Sequence, residues 1–194
     1  TLFRSGVGNL ANVEFATGGS GDDLLIGDAN PNTLIGLGGN DTLVGLAGDD
    51  TLDGGADDDI YVLTDGFGAD TIIDAGGDDT ITANNATYGV MTAGLTFDVG
   101  AFNASDGTNT IDYGANIIEN LIGGGADDTV LMSSGTALGG DVNGAGGTDT
   151  LDYNTYTAGV NVDLPAGTGT DITGTVSNIE NLIGGAGNDT LTGD

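Results

Sequence analysis

A chain of 194 residues with thirty acidic side chains, one cation (Arg4) and no histidine or cysteine carries a net charge of −29. Self-repulsion on that scale excludes nucleic acid and anionic membrane surfaces as partners and calls for a cationic counterpart. The acids are 27 Asp and only three Glu (Glu14, Glu119, Glu180), a bias that a solubilising or salt-adapted surface does not require, whereas the short Asp side chain suits turns and rigid oxygen cages around hard cations.

The first residues, "TLFRSGVGNL", show neither an initiating methionine nor a basic region followed by an apolar stretch. No run approaches the roughly 18 apolar residues of a membrane span, so membrane insertion is not expected. A cysteine-free chain suits an extracellular bacterial protein that does without disulfides. Residues 1–17 are read as a lead-in coil continuing an upstream array. The final "GNDTLTGD" stops within a repeat, so both ends are expected to be cuts in a longer chain.

From Gly18 a nine-residue clock takes over: "GGSGDDLLI", "GDANPNTLI", "GLGGNDTLV", "GLAGDDTLD" and "GGADDDIYV", then two extra residues, then "DGFGADTII" and "DAGGDDTIT". The sixth column reads Asp23, Asn32, Asp41, Asp50, Asp59, Asp70, Asp79, and the eighth reads Leu25, Leu34, Leu43, Leu52, Tyr61, Ile72, Ile81. Columns one to six are rich in Gly, Asp and Asn and form turns. Columns seven to nine combine Thr with branched aliphatics and form very short strands.

The run over 18–82 resembles the RTX repeat, the calcium-binding nonapeptide G-G-x-G-x-D-x-U-x in which U is a large apolar residue. The resemblance implies an all-β fold, a right-handed parallel β-roll or β-solenoid with two nonapeptides per turn and Ca²⁺ held between successive Gly-rich loops. It implies a secreted protein of the adhesin, surface-layer or extracellular filament kind, exported by type I secretion to the cell surface. The residues independently support such a picture. If two repeats complete one coil, residues eighteen apart stack at about 4.8 Å. Asp23, Asp41, Asp59 and Asp79 then line one edge, and Asn32, Asp50 and Asp70 the other. Carboxylates so stacked repel by about 1 to 3 kcal/mol per neighbouring pair, and Ca²⁺ with its six to eight oxygen ligands relieves that repulsion, while Mg²⁺ fits less well. One aliphatic side chain per nine residues buries too little apolar surface to order the backbone unaided, so folding is expected to be coupled to metal.

Several positions depart from the pattern. Asn32 offers a neutral oxygen in place of a carboxylate, so a weaker site is expected there. Asp57 occupies a glycine column, which puts the geometry at Asp59 in doubt. Asp22, Asp49, Asp58 and Asp78 in the fifth column read as a solvated loop face.

Residues 83–194 keep a looser clock. "GGGADDTVL", "GAGGTDTLD" and "GGAGNDTLT" place Asp128, Asp149 and Asp189 in the sixth column as further candidate metal ligands. "GLTFDVG" and "GVNVDLP" read as longer strands. "DGTNTIDYG" aligned with "GGTDTLDYN" sets Asn109 against Asp149, so 109, 128 and 149 are read as successive coils. "NVEFATGG", "IIENLIGG" and "NIENLIGG" run alike from an apolar residue and Glu into a Gly-Gly turn, and these Glu residues read equally as turn residues or ligands. The expectation is one solenoid whose coils widen after residue 82, with a separate globular domain as the alternative.

Without His, Lys or Cys, only carboxylates and tyrosines remain for proton transfer, so no enzyme is expected. Ice binding would want outward Thr in the third column, where Ser20, Ala29, Gly38, Ala47 and Ala56 stand. The expected function is a calcium-rigidified segment of a large secreted surface protein. The alternative is the folding and export module of an RTX toxin or secreted hydrolase whose active domain lies elsewhere. Calcium is the expected partner, with further copies of the chain or cell-surface glycans as candidate macromolecular ones.

Overall fold

The structure, a computed structural model, describes residues 8–9, 14–115 and 117–193. Most of the lead-in segment, including Arg4, lies outside the described residues, as does Asp194.

Among the described residues every regular element is a strand, and most are three residues long. One sheet stacks Gly8–Asn9, Leu24–Ile26, Thr42–Val44, Ile60–Val62, Thr80–Thr82, Asn120–Ile122, Val142–Asn143 and Val176–Ser177, every neighbouring pair parallel. The facing sheet begins with Phe15–Thr17, Thr33–Gly38, Thr51–Ala56 and Ala69–Ile73, also parallel. Consecutive repeats therefore alternate between the sheets, and two repeats make one coil of a parallel β-roll. Leu25 pairs with Leu43, Leu43 with Tyr61 and Tyr61 with Ile81, while Ala16, Leu34, Leu52 and Ile72 run down the opposite wall.

These eighth-column side chains fill the space between the sheets, and from Leu34 to Ile81 none is more than 3 % exposed. Their neighbours in columns seven and nine alternate away from that core, half-buried or exposed in column seven, while Val44, Val62 and Thr82 of column nine are buried too. The two inserted residues after Val62 lengthen the coil step to 20 without breaking register, because Leu63 turns into the core and Phe67 in the next loop joins it.

Beyond Thr82 both sheets continue, so the chain remains one roll. In the first sheet Asn120–Ile122 pairs directly with Thr80–Thr82. In the second, Thr110–Tyr113 pairs parallel with Ala69–Ile73, then Asn103–Ser105 and Thr96–Asp98 follow antiparallel, before Thr129–Leu131 resumes the parallel order. Asn109 is thus not one coil below Asp128. Its carboxamide oxygen accepts the Gly68 N–H, two residues out of the acid column, since Asp70 pairs with Ile111. The reading of 109, 128 and 149 as successive coils holds only for the last step.

The physical reason is turn chemistry. Asp98 accepts the N–H groups of Gly100 and Ala101, Asp106 accepts those of Thr108 and Asn109, and Phe102 and Gly107 take positive φ, so the chain reverses twice instead of passing round the coil. An Asp cap at the end, Asp98 in one and Asp163 in the other, closes each of the two apolar alternations early. Thr96–Asp98 and Asn161–Asp163 are three residues each, not the longer strands their sequences suggest.

Candidate metal centre

Each coil brings its sixth-column residue to the edge between a Gly-rich turn and a strand. Asp23, Asn32, Asp41, Asp50, Asp59, Asp70, Asp79, Asp128 and Asp149 are all buried, and Asp189 is half-buried. They stack in the expected columns through one repeated hydrogen bond, in which the backbone N–H of one residue donates to Oδ1 of its counterpart in the next coil. Asp23 donates to Asp41 (2.7 Å), Asp41 to Asp59 (2.7 Å) and Asp59 to Asp79 (2.8 Å). On the other edge Asn32 donates to Asp50 (2.8 Å) and Asp50 to Asp70 (2.9 Å). Asp128 donates to Asp149 (2.8 Å) in the second half, and Asp189 receives the N–H of Val160.

That bond uses one carboxylate oxygen. The other, Oδ2, is buried and has no hydrogen-bond partner at Asp41, Asp50, Asp59, Asp79 and Asp149. A buried anionic oxygen left without a donor is costly. At Asp41, Asp50, Asp59 and Asp149 it lies over the first-column glycine of the residue's own repeat. A Cβ at Gly36 would collide with Asp41 Oδ2 and with the carbonyl oxygen of Gly54 in the next coil, and a Cβ at Gly123 with Asp128 Oδ2 and the Gly144 carbonyl. Gly18 and Gly27 stand in the same relation to Asp23 and Asn32, with the Gly36 and Gly45 carbonyls opposite. Carboxylate and carbonyl oxygens thus converge from adjacent coils on a space that only glycine leaves open, which is the oxygen-only donor chemistry of a hard cation such as Ca²⁺. At Asp23, Asn32 and Asp128 the corresponding oxygen instead accepts the N–H of Gly19, Asp28 and Gly124.

Electrostatics records the same strain. Burial, with help from flanking aspartates, raises Asp41, Asp50 and Asp149 to about 6, Asp59 and Asp79 to about 7 and Asp70 to about 8, against the lowering effect of the backbone N–H each accepts. Asp128 is raised by burial too. An ordinary Asp titrates near 3.9, so burial without a counter-ion draws protons onto these carboxyls at a higher pH than onto exposed ones, and onto Asp70 already at neutral pH.

The departures resolve plainly. Asp57 takes the same left-handed backbone (φ 76°) as Gly39 and Gly48 in its column, so Asp59 keeps its place in the ladder. Asn32 sets a neutral oxygen over Gly27 where its neighbours set a carboxylate. The fifth-column Asp22, Asp49 and Asp58 are exposed, yet they accept the N–H groups of Asn40, Ala69 and Asp78 in the next coil. Asp78 accepts the Asn120 side-chain amide. They form a second ladder rather than a merely solvated face.

Two residues carry a role that spacing left open. Glu119 and Glu180 accept the N–H groups of Asp79 (3.0 Å) and Asp149 (2.7 Å) through Oε2, taking the part that the next Asp plays in the regular coils. The signal was present in "IIEN" and "NIEN", where an acid one carbon longer reaches back across a wider coil. Asp74 was missed altogether. It stands in the glycine column of the last regular repeat, and a carboxylate oxygen from each of Asp59, Asp74 and Asp79 lies within 4.8 Å of the other two.

A parallel coil that stacks aspartates over glycine carbonyls from turn to turn defines a β-roll built around oxygen donor sets for hard cations. Residues 17–49, 26–61, 62–86 and 176–194 each match the RTX calcium-binding nonapeptide repeat. These stretches, just under half of the sequence, carry four copies of that calcium-binding repeat. Comparison of the chain with curated proteins gives no match.

Proposed function

We propose that this chain is a calcium-dependent structural segment of a large secreted surface protein, of the adhesin, surface-layer or filament kind, which folds outside the cell as Ca²⁺ fills its turns. The supporting observation is the set of buried, donorless Oδ2 atoms at Asp41, Asp50, Asp59, Asp79 and Asp149, with a backbone carbonyl of the next coil beside those of Asp41 and Asp149. Asp23, Asp41, Asp59 and Asp79 on one edge, Asn32, Asp50 and Asp70 on the other, and Asp128, Asp149 and Asp189 in the second half would hold the ions. Ca²⁺ bound there supplies positive charge between the rungs. The protein's own part is to aim the carboxylates through the N–H ladder, open the space with glycine and exclude water with the aliphatic core.

The charge supports folding after export. At low free calcium the columns repel and the chain stays expanded, a form suited to passage through a secretion channel of the type I kind. At millimolar calcium outside the cell the same columns become the folding drive. The role is non-catalytic in this reading, because no His, Lys or Cys is available as a tuned acid, base or nucleophile.

Circular dichroism tests the coupling. In millimolar Ca²⁺ at pH 7.5 the spectrum is β-rich. An excess of chelator converts it to that of an unfolded chain, and calcium restores it. A spectrum indifferent to chelator would overturn the proposal.

A further inference from the structure

The last regular repeat, "DAGGDDTIT", begins with Asp74 where five of the preceding repeats begin with Gly (Gly18, Gly27, Gly36, Gly45, Gly54). Its side chain is half-buried and is fixed from two sides, by the Gly76 N–H on Oδ1 (2.7 Å) and by the Tyr61 hydroxyl on Oδ2. Tyr61 is itself an exception, a fully buried phenol in a column otherwise aliphatic within the array. The Gly54 N–H donates to that same hydroxyl (2.9 Å).

The substitution changes the donor set at this rung. Over Gly18, Gly27 and Gly36 the sixth-column oxygen faces the carbonyl of the next coil's glycine. Over Gly54, Asp59 Oδ2 faces the Tyr61 hydroxyl, and the Asp74 carboxylate is hydrogen-bonded to that hydroxyl. Asp59 Oδ2 and Asp79 Oδ2 are buried with no hydrogen-bond partner, in residues 1 % and 0 % exposed. Three carboxylates therefore converge on two unsatisfied oxygens, whereas the rung between Asp41 and Asp59 has two carboxylates and a carbonyl. Affinity for calcium rises with the number of charged ligands when the cage is rigid.

We propose that Asp59, Asp74 and Asp79, with Tyr61 orienting Asp74, form a three-carboxylate calcium site that fills before the two-carboxylate rungs and so starts ordering of the array from its 59–79 end. This inference rests on the calcium reading above and adds Asp74 and Tyr61 to it. Tyr61 has a second consequence. Its hydroxyl donates to Asp74, which would bring the ring close to an ion held there, so terbium, an oxygen-seeking ion whose emission is sensitised by nearby aromatic rings, should report this site under tyrosine excitation.

The test is a calorimetric calcium titration of the full chain, paired with tyrosine-sensitised terbium emission. In the wild type one ion binds more tightly than the rest, and sensitised emission appears with the first equivalent. Asp74→Asn weakens that first ion by about tenfold or more, in line with the loss of one of three charges, and removes the early emission. Asp78→Asn leaves both within about twofold, because its amide oxygen still accepts the Asn120 side chain and the charge lost is an exposed one outside the three-carboxylate cluster. Tyr61→Phe keeps the buried ring and removes only the orienting hydroxyl. It weakens the first ion by about threefold or more, the scale of one lost hydrogen bond, and gives a reading that does not depend on Asp74→Asn folding. A wild type that takes up no calcium refutes the calcium reading of the whole array. A wild type that binds calcium, with its first ion indifferent to both Asp74→Asn and Tyr61→Phe, refutes only this assignment.

Discussion

Residues 18–82 and residues 83–193 build the same roll in different ways. In the first stretch the coil step is 18 or 20 residues, and each acid column passes from rung to rung without a break. In the second, the Asp79 N–H meets Glu119 forty residues on, and the Asp149 N–H meets Glu180 at a distance of 31. Hairpins and longer loops fill the difference, and they bring Met91, Leu95, Phe97, Tyr113, Met132, Tyr153 and Tyr156 into the core. The first half sets one aliphatic residue per repeat against a line of buried charge, while the second carries more apolar surface and fewer stacked acids. In the proposed reading, one continuous roll thus rests mainly on cations in its all-parallel stretch and mainly on the hydrophobic effect where antiparallel hairpins enter.

The largest expected effect separates the halves by pH in the absence of metal. Raised pKa values mean that the folded form takes up protons more readily than the unfolded one. Their contribution to stability is full below about pH 4, where an ordinary Asp titrates, and is lost as pH rises through the folded values of about 6 to 8. In chelator, amide hydrogen exchange over Leu24–Ile26, Thr42–Val44 and Ile60–Val62 should therefore be slow at pH 4, once corrected for intrinsic rates, and fast at pH 8. Phe97, Val130 and Leu151 should keep more protection throughout. With calcium present the dependence reverses, because protons compete for the same oxygens and apparent affinity falls as pH drops below about 7. Equal loss of protection in both halves at pH 8 would remove the distinction drawn here.

A smaller effect asks whether the cradle itself is shared. Gly36→Ala drives a methyl group into Asp41 Oδ2 and the Gly54 carbonyl, and Gly123→Ala does the same to Asp128 Oδ2 and the Gly144 carbonyl. Each should destabilise the calcium-loaded protein by about 2 to 3 kcal/mol, the upper part of the range for overpacking. Gly38→Ala, with open space at its Cβ and no positive φ, should stay within about 0.5 kcal/mol. Thermal or denaturant unfolding in saturating calcium reads all three. A neutral Gly123→Ala would mean that the turn at Asp128 is not the same site as the turns of the first half.

The columns at 23 to 79 were legible in the sequence because a nine-residue period fixes both which residues stack and which face inward. Phase, once set by Gly18, leaves little freedom. The same logic failed for Asn109, since "DGTNTIDYG" is as good a turn as "GGTDTLDYN" and nothing in the repeat says whether the chain continues round the coil or doubles back. That choice is made by the Asp98 and Asp106 caps and the positive φ of Phe102 and Gly107, features that the columns of the repeat do not encode. Asp74 was overlooked for a different reason. A repeat pattern directs attention to positions that agree, and Asp74 matters because it disagrees, placing a charge where the period calls for glycine.

The smallest effect concerns backbone conformation and treats the halves alike. Column two of the repeat takes positive φ at Gly55 (110°) and Gly66 (77°), and also at Leu37 (86°), Leu46 (74°) and, in the second half, Ala145 (69°). A non-glycine residue in that region costs about 1 to 2 kcal/mol, and glycine gives back about 0.5 to 1 of it through the greater freedom of the unfolded chain. Leu37 is 53 % exposed, so replacing it sacrifices little burial. Leu37→Gly and Ala145→Gly should therefore each stabilise the calcium-loaded protein by about 0.5 kcal/mol, read as a higher unfolding midpoint with an unchanged denaturant slope. If Leu37→Gly stabilises and Ala145→Gly destabilises, the two turns differ in backbone demand, and the second-half turn is to be compared with the Asp-capped hairpins around Phe102 instead of with the first-half repeats.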